Sequence, residues 1–236
     1  MTVSLPGYLL LLAVGVLLPL RSWLSLRKNP LGAPIEVPKA KRYRVGISLT
    51  LLQAAFALWV ALDNRLQPLF GSFRLDAATV LGTLALLALS LGLLRWMVRH
   101  RSAGWRMRFY SILPETARQR VVWVFICMIV AVAEEVLYRA VLWGLLQRLT
   151  GDYWISAVLA SLVFALNHLV QGWISTGTIF VIGFGFHLLV HVSGGLYAAV
   201  AAHFIYDLSA GLCYSGAARK ESRSARSMET APQAAP

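Results

Sequence analysis

Glu134 and Glu135 stand side by side, and Arg139 follows four residues after the second. All three lie in VVWVFICMIVAVAEEVLYRAVLWGLL (residues 121–146), where they are the only charged residues. An ionisable group near the centre of a bilayer costs on the order of 2.5–3.5 kcal/mol by insertion scales. A chain that keeps three of them in one apolar run is therefore pairing them or using them. Two more polar islands lie downstream, Asn167 and His168 in FALNHL, then His203 and Asp207 in AAHFIYDL. At helical spacing Glu135 and Arg139 share a face and can form an ion pair. Glu134 sits about 100° further round and is free to face another helix. His203 and Asp207, like Phe164 and His168, are also four apart. At about 1.5 Å per residue, Glu134 and His168 both fall in the central part of a membrane. The collection points to an active site built within a bilayer.

The elements that must hold these residues are helices. The chain is 58 % hydrophobic and 14 % charged, with a mean hydropathy of +0.66. Apolar stretches of about 18–20 residues recur along most of its length, each able to cross a hydrocarbon core of roughly 30 Å. The expected fold is an all-α, polytopic integral membrane bundle of about seven transmembrane helices. Spans are expected near residues 5–24, 45–62, 77–98, 121–146, 153–170, 177–191 and 196–214. Residues 1–120 form an N-terminal region of about three spans with basic cytoplasmic loops, and 121–214 form a core of about four. Residues 215–236, rich in Arg, Ser and Ala, are expected to be a disordered basic tail.

The formal net charge of +12 gathers in the connections between apolar stretches. That placement follows the positive-inside rule and favours anionic lipid headgroups, not nucleic acid, as the charged partner. With no Lys or Arg before the first span and Arg21, Arg27 and Lys28 after its start, a retained span is expected, N-terminus outside and C-terminus cytoplasmic. Pro30, Pro34 and Pro38 mark an irregular cytoplasmic loop, and Pro68 and Gly71 an outer link. A short interfacial stretch is expected around WRMRFY. Cys127 and Cys213 fall in apolar spans and read as buried packing residues.

The motifs resemble those of a known family. Glu134-Glu135-x-x-x-Arg139 looks like the first motif of the CAAX protease and bacteriocin-processing family, whose best-known members are the type II CAAX prenyl endopeptidases. Phe164-Ala-Leu-Asn167-His168 is similar to the second, Phe-x-x-x-His, and His203-Phe-Ile-Tyr-Asp207 to the third, His-x-x-x-Asn or Asp. Their order and spacing fit over residues 121–214. The resemblance implies an intramembrane endopeptidase of the glutamate type that needs no cofactor. Glu134 would be the general base, and His168 would help it hold and activate a water. His203 and Asp207 would stabilise the oxyanion, while Glu135 and Arg139 order the site. Where this chain has Asp207, many members have Asn. An ionised Asp cannot donate to an oxyanion, so Asp207 would be protonated or would instead orient His203. Phe164 shapes the pocket, and Asn167 is expected to bond between helices.

Other readings stay open at the level of sequence. Glu135, His168 and His203 could form a two-histidine, one-carboxylate zinc set with one open position. The chain could be a non-proteolytic immunity or scaffold protein that binds a peptide in the same cavity, or a proton conductor. His187 and His191 are four apart, a metal-ligand spacing, but lie outside the motifs and read as packing residues. The expected partners are a membrane-anchored protein or peptide substrate and the lipid bilayer, and the expected location is a bacterial cytoplasmic membrane; oligomeric state is not encoded in any motif.

Overall fold

A computed structural model describes residues 2–31, 37–66 and 69–229 of the chain. Pro34, Pro68 and the last residues of the tail lie outside the described residues. The architecture is all-helical: α1 (Leu5–Lys28), α2 (Lys39–Asp63), α3 (Ala77–His100), α4 (Ala103–Ile112), α5 (Ala117–Thr150), α6 (Tyr153–Asn167), α7 (Trp173–Ser193) and α8 (Tyr197–Glu229). Among the described residues five helices, α1, α2, α3, α5 and α7, are long and apolar enough to cross a membrane. This falls short of the expected count of about seven. Helix α6 has 15 residues, about 22 Å at 1.5 Å per residue, less than the roughly 30 Å of hydrocarbon. Helix α8 carries His203 and Asp207 in its apolar half and a charged second half.

The helix boundaries follow local chemistry. Side chains of Asp76, Ser102 and Asp152 accept from the backbone at the starts of α3, α4 and α6, satisfying otherwise orphaned N–H groups. Thr116 and Gln119 form a reciprocal capping box that starts α5. Gly151 and Gly194 end α5 and α7 in the left-handed conformation at φ 72°. Helix α4 occupies the expected interfacial stretch. Helix α2 begins at Lys39, so part of the expected basic loop is helical. Helix α8 runs on from Tyr214 to Glu229, where a disordered tail was expected from Ser215. Its Ala, Arg, Lys and Glu residues have high helix propensity, and an existing helix extends without a new nucleation cost.

Two segments depart from α geometry. Ala13–Leu17 in α1 and Glu135–Leu142 in α5 are π-helical, a widening often found at functional sites. The core lies where α1, α2, α5 and α6 meet, around Leu10, Val60, Val141, Leu145 and Phe164. Ala57, Ala61 and Ala160 are fully buried there, and small side chains let membrane helices approach closely. Two of the links between helices are tied together. Ser72 N–H donates to Gly194 O at 3.0 Å and Leu196 N–H to Phe70 O at 2.9 Å, leaving Gly71, at φ 65°, against the backbone of Gly194 and Gly195.

Candidate active site

The adjacent glutamates take different environments. Glu135, at the start of the π-helical segment, is fully buried. Its Oε1 accepts from Arg139 Nη1 at 3.2 Å and from His203 Nδ1 at 2.8 Å. Arg139 also donates through Nη2 to Gly183 O at 3.2 Å. Its guanidinium lies 4.4 Å from the Phe164 ring centroid and 5.0 Å from that of Phe186. The expected intrahelical ion pair therefore forms as part of a larger unit, in which Arg139 neutralises Glu135 and Glu135 fixes the His203 ring. Phe186 stacks on that ring at 5.2 Å.

Because Nδ1 of His203 donates to a carboxylate, its Nε2 is the atom left to face the cavity. Glu134 Oε2 lies 3.8 Å from it and Asp207 Oδ2 3.6 Å. Both are beyond direct hydrogen-bond reach and leave room for a bridging oxygen. The side chains of Glu134 and Asp207 keep 23 % and 27 % of their surface accessible, in contrast to Glu135. Trp123 Nε1 donates to the Asp207 backbone carbonyl at 3.1 Å, holding α8 against α5.

His168 sits where α6 ends and a single 3₁₀ turn, Leu169–Gln171, begins. Its Nδ1 donates to Phe164 O at 2.8 Å. A carbonyl only accepts, so Nδ1 carries the proton and Nε2 of the neutral ring is an acceptor. The turn is pinned from α1: Ser22 Oγ donates to Asn167 O at 3.0 Å and accepts from Val170 N–H at 2.9 Å. Asn167 Nδ2 donates to Tyr138 Oη at 2.8 Å and to Val14 O at 3.3 Å, the interhelical role expected for it. Phe164 is buried and packs against both Tyr138 and His168.

Glu134, His168, His203 and Asp207 thus line one cavity of ≈ 250 Å³, walled by Trp105, Phe109, Trp123, Phe164, Ile182 and Phe186. Glu135 and Arg139 lie behind it. Its walls include Leu94 and Met97 of α3 and Trp105 and Phe109 of α4, from a region with no motif of its own. Sequence reasoning missed Phe186, Gly183, Trp123 and Ser22, since apolar or small residues inside apolar runs carry no signature. Gly183 is spatially restricted: a Cβ there would lie 3.0 Å from Phe164 Cδ1 and 3.4 Å from Arg139 Nη2.

His187 and His191 do not line this cavity. His187 is buried with its carbonyl accepting from Tyr153 Oη at 3.1 Å, and His191 packs on the rings of Tyr153 and Trp154. No group of His, Cys, Asp and Glu arranged to hold a metal ion occurs among the described residues. Of the zinc set considered from sequence, Glu135 has its Oε1 taken up by Arg139 and by Nδ1 of His203 and does not line the cavity, whereas Nε2 of His203 stays open to it.

The fold and site define an integral membrane protein of apolar helices that encloses a carboxylate–histidine centre. Residues 116–209 match the family described as type II CAAX prenyl endopeptidase, Rce1-like, which bears out the resemblance carried by the three motifs. The matched stretch holds Glu134, Glu135, Arg139, Phe164, Asn167, His168, His203 and Asp207. Comparison with curated proteins and with solved structures gives no match.

Proposed function

We propose that this protein is an intramembrane endopeptidase that hydrolyses a peptide bond of a membrane-anchored protein or peptide with a glutamate-activated water. The observation that carries the reading is the meeting of Glu134, His168, His203 and Asp207 on a single cavity within a membrane-spanning bundle. In this scheme the substrate carbonyl carbon is placed in the aromatic-walled cavity. A water is held between Glu134 and the acceptor Nε2 of His168. Glu134 takes one of its protons as the oxygen attacks, and that proton passes to the leaving amine as the C–N bond breaks. His203, with Nδ1 donating to Glu135, turns Nε2 toward the developing oxyanion and donates to it as the doubly protonated imidazolium. Glu135 and Arg139 are positioning residues, because Glu135 bonds His203, Arg139 bonds Glu135, and neither lines the aromatic cavity.

The reading extends to the rest of the chain. The proposal includes about seven membrane passes, with α6 and α8 crossing a locally thinned or protein-lined region. The N-terminus lies outside and the basic connections lie in the cytoplasm of a bacterial cell. Residues 1–120 supply cavity walls, 121–214 the catalytic core, and catalysis uses no metal. The test is comparative proteomics of membranes from cells carrying the wild type, Glu134→Ala or His168→Ala. A precursor that accumulates in both variants at unchanged protein level is the expected result and identifies the substrate. Unchanged termini throughout, with the biological phenotype retained, would replace catalysis with peptide binding.

A further inference from the structure

Glu134 and His168 are shared by two cavities of opposite character. The first is the aromatic-walled one described above. The second, of ≈ 330 Å³, is lined by Arg21, Ser22 and Ser25 of α1, Gln53 of α2, and Tyr138 and Asn167. Eight of its eleven lining residues are polar or charged, within helices whose other faces carry Leu and Val. Polar side chains inside a bilayer are costly unless they face protein or water, and this group faces a space roomy enough for several waters.

The course of α1 creates this space. Leu5–Leu12 packs against α2, but after the π-helical Ala13–Leu17 and Pro19 the second half of α1 turns to α6 and the Leu169–Gln171 turn instead. π-Bulges and prolines are the usual causes of such redirection. The inner halves of α1 and α2 are thereby splayed, with the exposed Arg21 and Leu49 at the rim of the gap. Ser22 does two things there. It borders the gap and it pins the turn that carries His168.

We propose that the gap between the inner halves of α1 and α2 is the route by which water reaches Glu134 and His168, while the peptide occupies the aromatic cavity on their other side. The proposal rests on the peptidase reading for its purpose. It gives α1 and α2, outside the matched residues, a role in the reaction: hydrolysis consumes one water per bond, and an apolar cavity filled by a peptide cannot supply it. Separate access lets the substrate seal its own cavity without halting that supply.

Water access is measured without any substrate. In the full chain carrying Cys127→Ala and Cys213→Ala, Gln53→Cys is compared with Leu52→Cys, its neighbour on the same helix. Leu52 is 67 % exposed on the outer surface and would face lipid. Because the reacting species is a thiolate in water, a charged, membrane-impermeant methanethiosulfonate should label the Gln53→Cys variant at least about tenfold faster. Equal, slow labelling of both would overturn the proposal, whether or not the protein proves to be a peptidase. On the precursor identified by proteomics, Gln53→Leu should lower kcat about tenfold with KM unchanged, and Gln53→Asn should restore it. A raised KM at unchanged kcat would mean that the peptide itself passes through this gap, and the assignment would fail.

Discussion

Replacing Arg139 with Met separates the stabilising part of the site from the reacting part. The Arg139 and Glu135 side chains are both fully buried. Removal of the guanidinium leaves the Glu135 carboxylate in a low-dielectric interior with only His203 for company. Breaking a buried pair by removing one partner costs about 3–5 kcal/mol, because the remaining charge is uncompensated. The lost contacts with the Phe164 and Phe186 rings add up to about 2 kcal/mol where the cation is desolvated; Met returns part of that as packing. Arg139→Met alone is therefore expected to lose about 3–5 kcal/mol, a large share of the 5–15 kcal/mol that folded domains have. The double variant Glu135→Gln/Arg139→Met removes both charges and keeps an amide oxygen to accept from His203 Nδ1. It should recover to within about 1–2 kcal/mol of the wild type, since a buried pair is often no better than neutral groups of similar volume. Reversible unfolding in mixed micelles at graded denaturing detergent measures all three proteins. An Arg139→Met variant as stable as the wild type, or a double variant no better than the single, would refute the account of Glu135 and Arg139 as one neutral unit.

Glu134→Gln keeps the shape of the side chain and removes the base, so turnover should fall by about 10²–10⁴ with KM and stability unchanged; retained turnover would remove Glu134 from the base role. Ser22→Ala leaves the part-buried Val170 N–H without its acceptor. It is expected to destabilise the protein by about 1–3 kcal/mol and to lower kcat through a displaced His168, read by unfolding and by kinetics, with Ser22→Thr restoring both. Asp207→Asn should keep at least about a tenth of the activity, because His203 is oriented by Glu135 and an amide can donate where a carboxylate cannot. A fall as large as that of Glu134→Gln, at unchanged stability, would give the Asp207 carboxylate an essential part.

The polar residues were legible because charge in an apolar run is a strong signal. Glu134, Glu135, Arg139, His168, His203 and Asp207 all stand at the site that their spacing implied. The i, i+4 relation was enough to pair Glu135 with Arg139. It could not tell that His203, from a helix 68 residues away in sequence, would take the same carboxylate oxygen. That contact is set by the packing of α8 on α5, where Trp123 meets the Asp207 carbonyl and where a Cβ on Gly211 would collide with the Trp123 ring. The π-helical turn at Glu135–Leu142 was illegible for a different reason. Its residues are ordinary helix formers, and the widening comes from side chains that must reach tertiary partners. The count of about seven spans went beyond what length and apolarity support among the described residues, since α6 is apolar but ends after 15 residues, just ahead of His168.

The two glutamates show how one residue type can be put to opposite uses by a rotation of one position. Glu135 faces inward, meets the Arg139 guanidinium, and is shut away from the cavity. Its charge is cancelled, and what it passes on is orientation, holding His203 with Nδ1 occupied and Nε2 presented. Glu134, one residue earlier, takes no hydrogen bond from Arg139 and stands 3.8 Å from His203 Nε2. It also borders both the aromatic cavity and the polar one. A carboxylate meant to take and return a proton must be near water and must not be locked in an ion pair. Of the two, only Glu134 meets both conditions, which supports the division of roles proposed above. Arg139 lies in the same helix as the proposed base yet directs its hydrogen bonds to Glu135 and the Gly183 carbonyl, which leaves the Glu134 carboxylate to the two cavities.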